Sequence, residues 1–305
     1  MPYDDEVAER AFTSESTVRT LQLACRSVGL DSRDAVLLRF GENAIYRLAA
    51  SPIVVRVARS TSFLADVRKE LNVGRWLAQV GIPAVGPADV SGQPLVIDER
   101  VVSFWRLIPE SSEQATVADL AKLLRRLHSA TSPTGFTLPV LDPFRRIDHR
   151  LGHVDGVAPE DRRFLRDFYD RLKDRYQSVE YELPTAVIHG DAQISNLIRH
   201  VDGTVLLSDL DPCAIGPPEW DLILTAVYYV RLRWHTAREY EAFAEMYGFD
   251  VLKWSGFEVL ADIRELRMVT WLMQNAGESP AIATEVRHRV ATLRDGVVPR
   301  RWSPY

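Results

Sequence analysis

The sequence predicts an α+β protein built from two unlike lobes. Up to residue 107 the chain consists mainly of short apolar runs typical of strands, with one amphipathic helix among them. After residue 107 the apolar residues recur mostly with helical spacing. The length of 305 residues also favours two lobes, because single hydrophobic cores tend to divide beyond about 250–300 residues. We therefore predict a small N-terminal lobe over residues 1–107, with an antiparallel sheet plus a helix, and a larger, mostly helical C-terminal lobe over residues 108–305.

Five apolar runs predict the strands of the N-terminal lobe. They lie at residues 35–40, 45–49, 53–58, 93–97 and 101–105. Residues 41–44, Gly-Glu-Asn-Ala, form the predicted turn between the first two strands. Pro109 cannot continue a strand that follows residue 105, so the hinge between the lobes is expected just before it.

One helix is predicted within this lobe, over residues 62–80. Its apolar residues recur with helical spacing, and Gly-Ile-Pro at residues 81–83 ends it. Glu70 lies on this helix.

The C-terminal lobe begins with a helix whose start is marked by Thr116 and Asp119, a capping-box spacing with Asp in place of Glu. This helix ends near His128, for which packing or capping at a helix end is the expected role. A charged helix is predicted around residues 162–177, either as a substrate lid or as a solvated helix. A short strand at residues 185–188 then precedes the sequence His-Gly-Asp.

Composition excludes several classes of function. The formal net charge of -5 and the absence of a basic cluster argue against nucleic acid as a partner. No apolar run approaches the roughly 18 residues of a membrane span, and the N-terminus, MPYDDEVAER, lacks the apolar core of a secretory signal. The two cysteines are far apart in sequence and predict no disulfide framework. A cytoplasmic protein without a membrane partner is expected, and its oligomeric state is left open.

The stretch from residue 189 to residue 221 has the acids and the amide that phosphoryl transfer requires. Asp191 lies five residues before Asn196, and Asp209 follows an apolar run. The two runs between Asn196 and Asp209 flank Val-Asp-Gly at residues 201–203, which predicts a hairpin. A protein-kinase catalytic loop has the same spacing between the Asp that accepts the hydroxyl proton and the Asn that binds magnesium, with a second metal-binding Asp further on.

This stretch resembles the aminoglycoside phosphotransferase family of kinase-like small-molecule kinases, in which His-Gly-Asp replaces His-Arg-Asp. The resemblance implies a bilobal protein-kinase-like fold, with Asp191 as the catalytic Asp and Asn196 and Asp209 as Mg²⁺ ligands. It further implies that His189 and Asp221 support the catalytic loop. Asp211 is a candidate for contact with the acceptor or with a second metal ion, or else a turn residue without such a role.

The resemblance also implies a nucleotide site in the N-terminal lobe. Arg56 stands where protein kinases have the phosphate-binding Lys, and Glu70 would pair with it. The alternative is an Arg at a strand edge and a solvated helix charge. The remaining residues of the expected site are Gly41 and Asn43 in the phosphate-covering turn and the main chain of Arg106, Leu107 and Ile108 at the purine.

We therefore predict a Mg²⁺-dependent enzyme that transfers the γ-phosphate of ATP to a hydroxyl of a small molecule, with GTP open as the donor. Two alternatives are a non-catalytic nucleotide-binding module and a metal-dependent hydrolase. The acceptor is an antibiotic or a metabolite, and the sequence leaves its identity open. Because arginines outnumber acids near the C-terminus, a neutral or anionic metabolite is favoured over a polycationic aminoglycoside; these arginines are Arg287, Arg289, Arg294, Arg300 and Arg301.

Overall fold

The computed structural model describes residues 12–152, 157–277 and 279–305. The strands, in chain order, are β1 (Val36–Phe40), β2 (Asn43–Arg47), β3 (Ile53–Ala58), β4 (Leu95–Ile97), β5 (Arg100–Arg106), β6 (Ala186–Ile188), β7 (Leu197–Arg199), β8 (Val205–Leu207) and β9 (Ala214–Gly216). The helices are α1 (Ser14–Ser27), α2 (Leu64–Gln79), α3 (Val117–His128), α4 (Ile147–Gly152), α5 (Pro159–Tyr176), α6 (Glu219–Val230), α7 (Ala237–Tyr247), α8 (Phe257–Met273) and α9 (Pro280–Arg294). None of the helices in these ranges combines the length and the apolar character that a bilayer crossing requires.

The chain forms two compact units that are not continuous in sequence. Of the described residues, those within 12–114 and 198–211 form the first unit, and those within 115–197 and 212–305 form the second. The segment 198–211, which includes most of the β7–β8 hairpin and ends at Asp211, thus belongs with the N-terminal strands.

The first unit is organised around a five-stranded antiparallel sheet in the order β1-β2-β3-β5-β4. Strand β3 lies at the centre of the sheet, with Arg56 opposite Ile45 of β2 and Ser103 of β5. Residues that alternate along the strands fill two apolar clusters, one beside α1 and one beside α2. The arrangement fixes Arg56 on a rigid central strand, with α2 packed against the sheet through buried residues such as Leu71.

Helix α1 is an element that the sequence analysis missed. Thr13 caps it, since its hydroxyl accepts from the N–H of Ser16 in a reciprocal capping box. The buried face contains Thr17 and Thr20, which weaken the apolar period by which a helix is recognised. Thr17 is satisfied by a 2.7 Å hydrogen bond to the hydroxyl of Tyr46 on β2, a contact that periodicity does not reveal.

The β7–β8 hairpin is anchored to the first unit by main-chain hydrogen bonds. The N–H of Val85 donates to the oxygen of Leu207 (2.8 Å), and the N–H of Ser111 donates to the oxygen of Arg199 (2.8 Å). The turn at residues 201–203 contains Gly203 with φ +89°, a left-handed conformation that glycine adopts without strain. Because both strands of the hairpin are anchored, the end of β8 is fixed, and Asp209 and Asp211 follow directly after it.

The second unit is mostly helical, with α8 packed against α4, α5, α6 and α9. The predicted capping box is present at α3, where the Thr116 hydroxyl accepts from the N–H of Asp119 and the Asp119 carboxylate accepts from the N–H of Thr116. Strands β6 and β9 pair antiparallel, and β6 is fully buried. This strand pair holds the start of the loop that follows β6, and the sequence His-Gly-Asp at residues 189–191 opens that loop.

Candidate active site

The loop after β6 depends on a glycine at residue 190. Gly190 has φ +85°, and a Cβ atom built on it would lie 2.3 Å from the main-chain oxygen of Pro212. Two features therefore require glycine here: the left-handed backbone and the close approach of the chain just before β9. The result is a tight turn that directs Asp191 out of the buried strand, with its side chain 32% exposed.

We predict that Gly190→Ala destabilises the protein by about 2 kcal/mol or more, because the left-handed strain and a backbone clash add together. The control is Gly248→Ala at the end of α7. Gly248 has φ +92° in the same unit, but nothing lies within 4 Å of the place that an added Cβ atom would take. Urea unfolding measures both variants, and equal losses of unfolding free energy would show that the contact with Pro212 has no effect.

The Asp191 carboxylate is held on one side and open on the other. The side-chain amides of Gln193 and Asn196 both donate to Oδ2, at 3.1 and 3.2 Å. Oδ1 lies 3.6 Å from Nη1 of Arg264, a residue of α8 that is 2% exposed. Oδ1 is therefore the oxygen available to a hydroxyl group, with a buried cation beside it.

Asn196 is oriented by the same loop. Its Nδ2 donates to the main-chain oxygen of Asp191 at 2.8 Å as well as to the Asp191 carboxylate. With the amide nitrogen engaged in this way, the carbonyl oxygen Oδ1 is the free end of the side chain. An oxygen donor of this kind suits a hard divalent cation such as Mg²⁺.

Asp221 supports the catalytic loop from inside the second unit. This fully buried carboxylate accepts from the N–H groups of His189 (2.6 Å) and Gly190 (2.8 Å) and contacts Nε2 of His128 at 3.1 Å. His128 in turn bonds the hydroxyl of Tyr247 at 2.8 Å through Nδ1. Burial acts to raise the pKa of Asp221, but these hydrogen bonds outweigh it, and the net shift of the pKa is downward.

His189 is also buried, with 1% of its surface exposed. Its Nδ1 accepts a 3.3 Å hydrogen bond from the N–H of Asp191. Both predicted supporting residues, His189 and Asp221, therefore act on the main chain of the loop that carries Asp191. His128 does more than cap a helix, since it bridges Asp221 and α7.

In the first unit, Arg56 and Glu70 form a short ion pair. Nη1 of Arg56 lies 2.6 Å from Oε2 of Glu70, which is 3% exposed, and the guanidinium stands 5.1 Å from the ring centre of Trp105. Burial raises the pKa of Glu70 and the Arg56 charge opposes it. The alternative of a strand-edge Arg and a solvated Glu is wrong, because β3 is central and Glu70 is buried.

Asp209 and Asp211 lie in the same unit as this ion pair. The charges of both acids raise the pKa of Arg56 against the effect of burial. Asp209 has φ +56°, a left-handed conformation that costs energy in residues other than glycine and that often occurs at functional sites. Lys69 on α2 donates to the main-chain oxygen of Asp211 and lies 3.6 Å from its carboxylate.

The other residues proposed for the nucleotide have these positions. The N–H of Gly41 closes the β1–β2 turn on the oxygen of Asn43 at 3.1 Å. The N–H groups of Arg106 and Leu107 donate to Gly86 and Pro52, so they are already engaged. In the described part of the chain the N–H of Ile108 has no such main-chain partner.

Four residues of these networks were not found from the sequence: Lys69, Gln193, Arg264 and, as a hydrogen-bonding residue, Tyr228. The hydroxyl of Tyr228 donates to Oε1 of Gln193 at 2.9 Å and so orients the amide that holds Asp191. Gln193 lies between Asp191 and Asn196, and this position was the one available signal. Arg264 and Lys69 reach partners 73 and 142 residues away, and no local pattern indicates such contacts.

The charge argument from the C-terminal arginines is wrong for three of them. Arg289 pairs with Glu285 at 2.9 Å, Arg300 pairs with Glu265 at 2.8 Å, and Arg294 pairs with Asp161. These charges are neutralised inside the chain. They therefore carry no information about the acceptor.

Comparisons with known proteins agree with this arrangement. The sequence profile of the phosphotransferase enzyme family matches residues 40–261. A search of curated proteins finds no significant match.

Solved structures give the fold. An amicoumacin kinase, hAmiN, in complex with AMP-PNP, Ca²⁺ and Ami, has a TM-score of 0.71 at 12% identity, covering 96% of this chain and 98% of its own. A microcompartment-associated aminopropanol kinase gives 0.66 at 21% identity, covering 91% and 95%. The choline kinase LicA from Streptococcus pneumoniae gives 0.63 at 17% identity, covering 92% and 99%.

The predicted kinase-like fold, with an N-terminal antiparallel sheet and a larger helical part, is confirmed by the structure and by these likenesses. The predicted class of enzyme, a small-molecule kinase, is confirmed through the family. Since the match covers more than half of the sequence and includes both the catalytic loop and Asp209, the chain belongs to the phosphotransferase enzyme family.

Proposed function

We propose that this protein transfers the γ-phosphate of ATP to a hydroxyl group of a small molecule, with Mg²⁺ as cofactor and Asp191 as the catalytic Asp that accepts the proton of the hydroxyl group. The observation that carries the proposal is the state of the Asp191 carboxylate. Oδ2 is fixed by Gln193 and Asn196, while Oδ1 stays available beside a buried cation. A carboxylate prepared in this way can accept a hydrogen bond from an alcohol and orient its oxygen for attack.

The metal ligands that we propose are Asn196 and Asp209. Their donor atoms are an amide oxygen and a carboxylate, the hard ligands that Mg²⁺ prefers. Mg²⁺ retains waters and takes only one or two protein ligands beside substrate phosphates, so a larger cluster is not required. Within residues 12–152, 157–277 and 279–305, no group of three His, Cys, Asp or Glu side chains forms one. When bound, the ion would neutralise charge on the transferred phosphate.

The remaining roles follow from charge and hydrogen bonding. Arg56, held by Glu70, would contact the nucleotide phosphates, and the turn with Gly41 and Asn43 would cover them. The N–H of Ile108 would bind the purine. Because phosphoryl transfer proceeds through a loose transition state, positioning and charge neutralisation supply most of the acceleration, and a weak base such as Asp191 is sufficient.

The acceptor is a small molecule with a hydroxyl group. The amicoumacin, choline and aminopropanol kinases named above suggest that antibiotics and small metabolic alcohols both belong in a substrate screen. The decisive experiment incubates the protein with Mg-ATP and such compounds and follows mass gain of one phosphate. Phosphate release without any acceptor would indicate a hydrolase, and no consumption of ATP with any compound would indicate a non-catalytic module.

A prediction concerns the metal. Asp209→Ala should weaken Mg²⁺-dependent nucleotide binding by at least about tenfold, because it removes a proposed ligand. The control is Asp202→Ala, which removes an exposed carboxylate from the turn of the β7–β8 hairpin. Nucleotide binding is titrated at several Mg²⁺ concentrations by calorimetry. If the curves for Asp209→Ala and the unmodified protein overlay, Asp209 is not a ligand.

A further inference from the structure

We propose that the acceptor alcohol carries an anionic oxygen group, a carboxylate or a phosphate ester, and that Arg267 binds this group beside Asp191. The inference rests on the proposed function and adds the chemical class of the acceptor to it. It concerns the second unit alone, which contains both residues.

Arg264 and Arg267 are one turn apart on α8 and so lie on the same face of that helix. The guanidinium groups of Arg264 and Arg267 lie 3.9 and 5.6 Å from the ring centre of Trp220. Arg264 extends to the loop itself, donating to the main-chain oxygens of Gly190 (3.2 Å) and Trp220 (2.9 Å) and lying 3.6 Å from Asp191. Arg264 is therefore committed to the loop, whereas Arg267 lies next to it.

Arg267 has most of its hydrogen-bonding capacity left. In the described part of the chain its guanidinium makes one hydrogen bond, from Nη1 to the main-chain oxygen of Pro143 at 3.1 Å. A guanidinium has five N–H donors in a planar fork that matches carboxylate and phosphate oxygens. The side chain is partly exposed, so a ligand can reach the donors that remain.

The charges around Arg267 leave an excess of positive charge. The positive charges that interact with it are those of Arg264 and the buried Arg150. The negative charges are those of Asp191 and the exposed Asp142. Burial, followed by the charge of Arg264, lowers the pKa of Arg267 to about 10. Arginines crowded in this way gain from an added anion, whereas an ammonium group at the same place would be repelled.

Within the described ranges, three other buried arginines of the second unit have a close carboxylate partner, which Arg264 and Arg267 lack. Arg231, Arg289 and Arg300 each have a carboxylate oxygen within 2.5–2.9 Å. Arg264 has its nearest carboxylate at 3.6 Å, and its buried Nε has no hydrogen-bond partner among the described residues. No ion pair of Arg267 with a described residue is present. A ligand anion would supply the charge that these two arginines lack.

The first experiment measures binding without transfer. Compounds that share a skeleton but differ in charge are compared by thermal shift and calorimetry in sets: butane-1,4-diol, 4-aminobutan-1-ol and 4-hydroxybutanoate, and likewise glucose, glucosamine, glucuronate and glucose 6-phosphate. We expect the carboxylate or phosphate member to bind at least about tenfold more tightly than its neutral and cationic partners. Within the sugar set, comparing the affinities of the carboxylate and the phosphate ester shows which of the two anions the site prefers.

The second experiment tests Arg267 itself. Arg267→Gln should lose at least about tenfold in affinity for the anionic compound and raise its KM as much, with kcat and nucleotide affinity nearly unchanged, because uniform binding is removed. Arg267→Lys keeps the positive charge but lacks the planar guanidinium, so its affinity for the anionic compound should lie between those of the unmodified protein and Arg267→Gln. The control is Arg163→Gln, an exposed residue of α5.

The outcomes separate this inference from the proposed function. Arg267-dependent binding of anions without phosphate transfer to any compound supports the anion site and contradicts the proposed function. Transfer to neutral or cationic alcohols, with no anion preferred, supports the function and overturns the anion site. Anion binding that is the same in Arg267→Gln also overturns it.

Discussion

Asp191→Asn should lower the turnover number by at least about 100-fold while the protein still binds Mg-ATP, because an amide cannot take up the hydroxyl proton. The substitution also removes the negative partner of Arg264, so the oxygen that faces the alcohol loses its charge. The side chain keeps its size, and one amide oxygen remains to accept from Gln193 and Asn196. The loss should therefore fall on kcat, which single-turnover and steady-state assays with an identified acceptor measure.

A matched control separates this effect from a general change in charge. Asp170→Asn removes an exposed carboxylate from α5 in the same unit and should leave kcat unchanged. Nucleotide titration of both variants by calorimetry shows whether the binding site is intact. Normal turnover by Asp191→Asn would refute the catalytic role of Asp191, and a loss of nucleotide binding in this variant would assign the residue to the nucleotide instead.

Much of the fold follows from local sequence signals. The capping box at Thr116 and the Val-Asp-Gly turn of the hairpin each predicted an element that the structure contains. These signals work because a cap or a tight turn depends on residues within four positions. Helix α1 escaped because the side of it that packs on the sheet includes two threonines, whose hydroxyls are satisfied by helix carbonyls and by Tyr46.

The site was predictable only as far as its local motif extends. Asp191, Asn196 and His189 lie in eight consecutive residues, and two of their hydrogen bonds, His189 with the N–H of Asp191 and Asn196 with the Asp191 carboxylate, stay within that segment. Other parts of the site come from distant helices. His128, which contacts Asp221, precedes Asp191 by 63 residues, and Arg264 of α8 follows Asp191 by 73 residues, so these side chains meet only through tertiary packing. Composition also gave weight to Arg289 and Arg300, whose pairing with acids of the same unit cannot be read from the sequence.

Asp221→Ala should destabilise the protein by about 3–5 kcal/mol at neutral pH and abolish detectable transfer. The buried carboxylate joins His128 to the N–H groups of His189 and Gly190, and its loss would leave these donors without a partner in the core. The loop would then no longer hold Asp191 in place. Urea unfolding followed by circular dichroism measures the change, and Asp170→Ala on α5 is the exposed control.

The pH dependence of this loss identifies its cause. The folded-state pKa of Asp221 lies below the value of about 3.9 expected for an unfolded Asp, because the hydrogen bonds to the carboxylate outweigh burial. The carboxylate therefore stabilises the folded state fully above pH about 4, and this contribution is lost as the pH falls through the folded-state pKa. The unfolding free energies of Asp221→Ala and the unmodified protein should converge as the pH is lowered below about 4. A difference that is the same at pH 7 and pH 3 would mean that the lost volume, and not the buried charge, accounts for the effect.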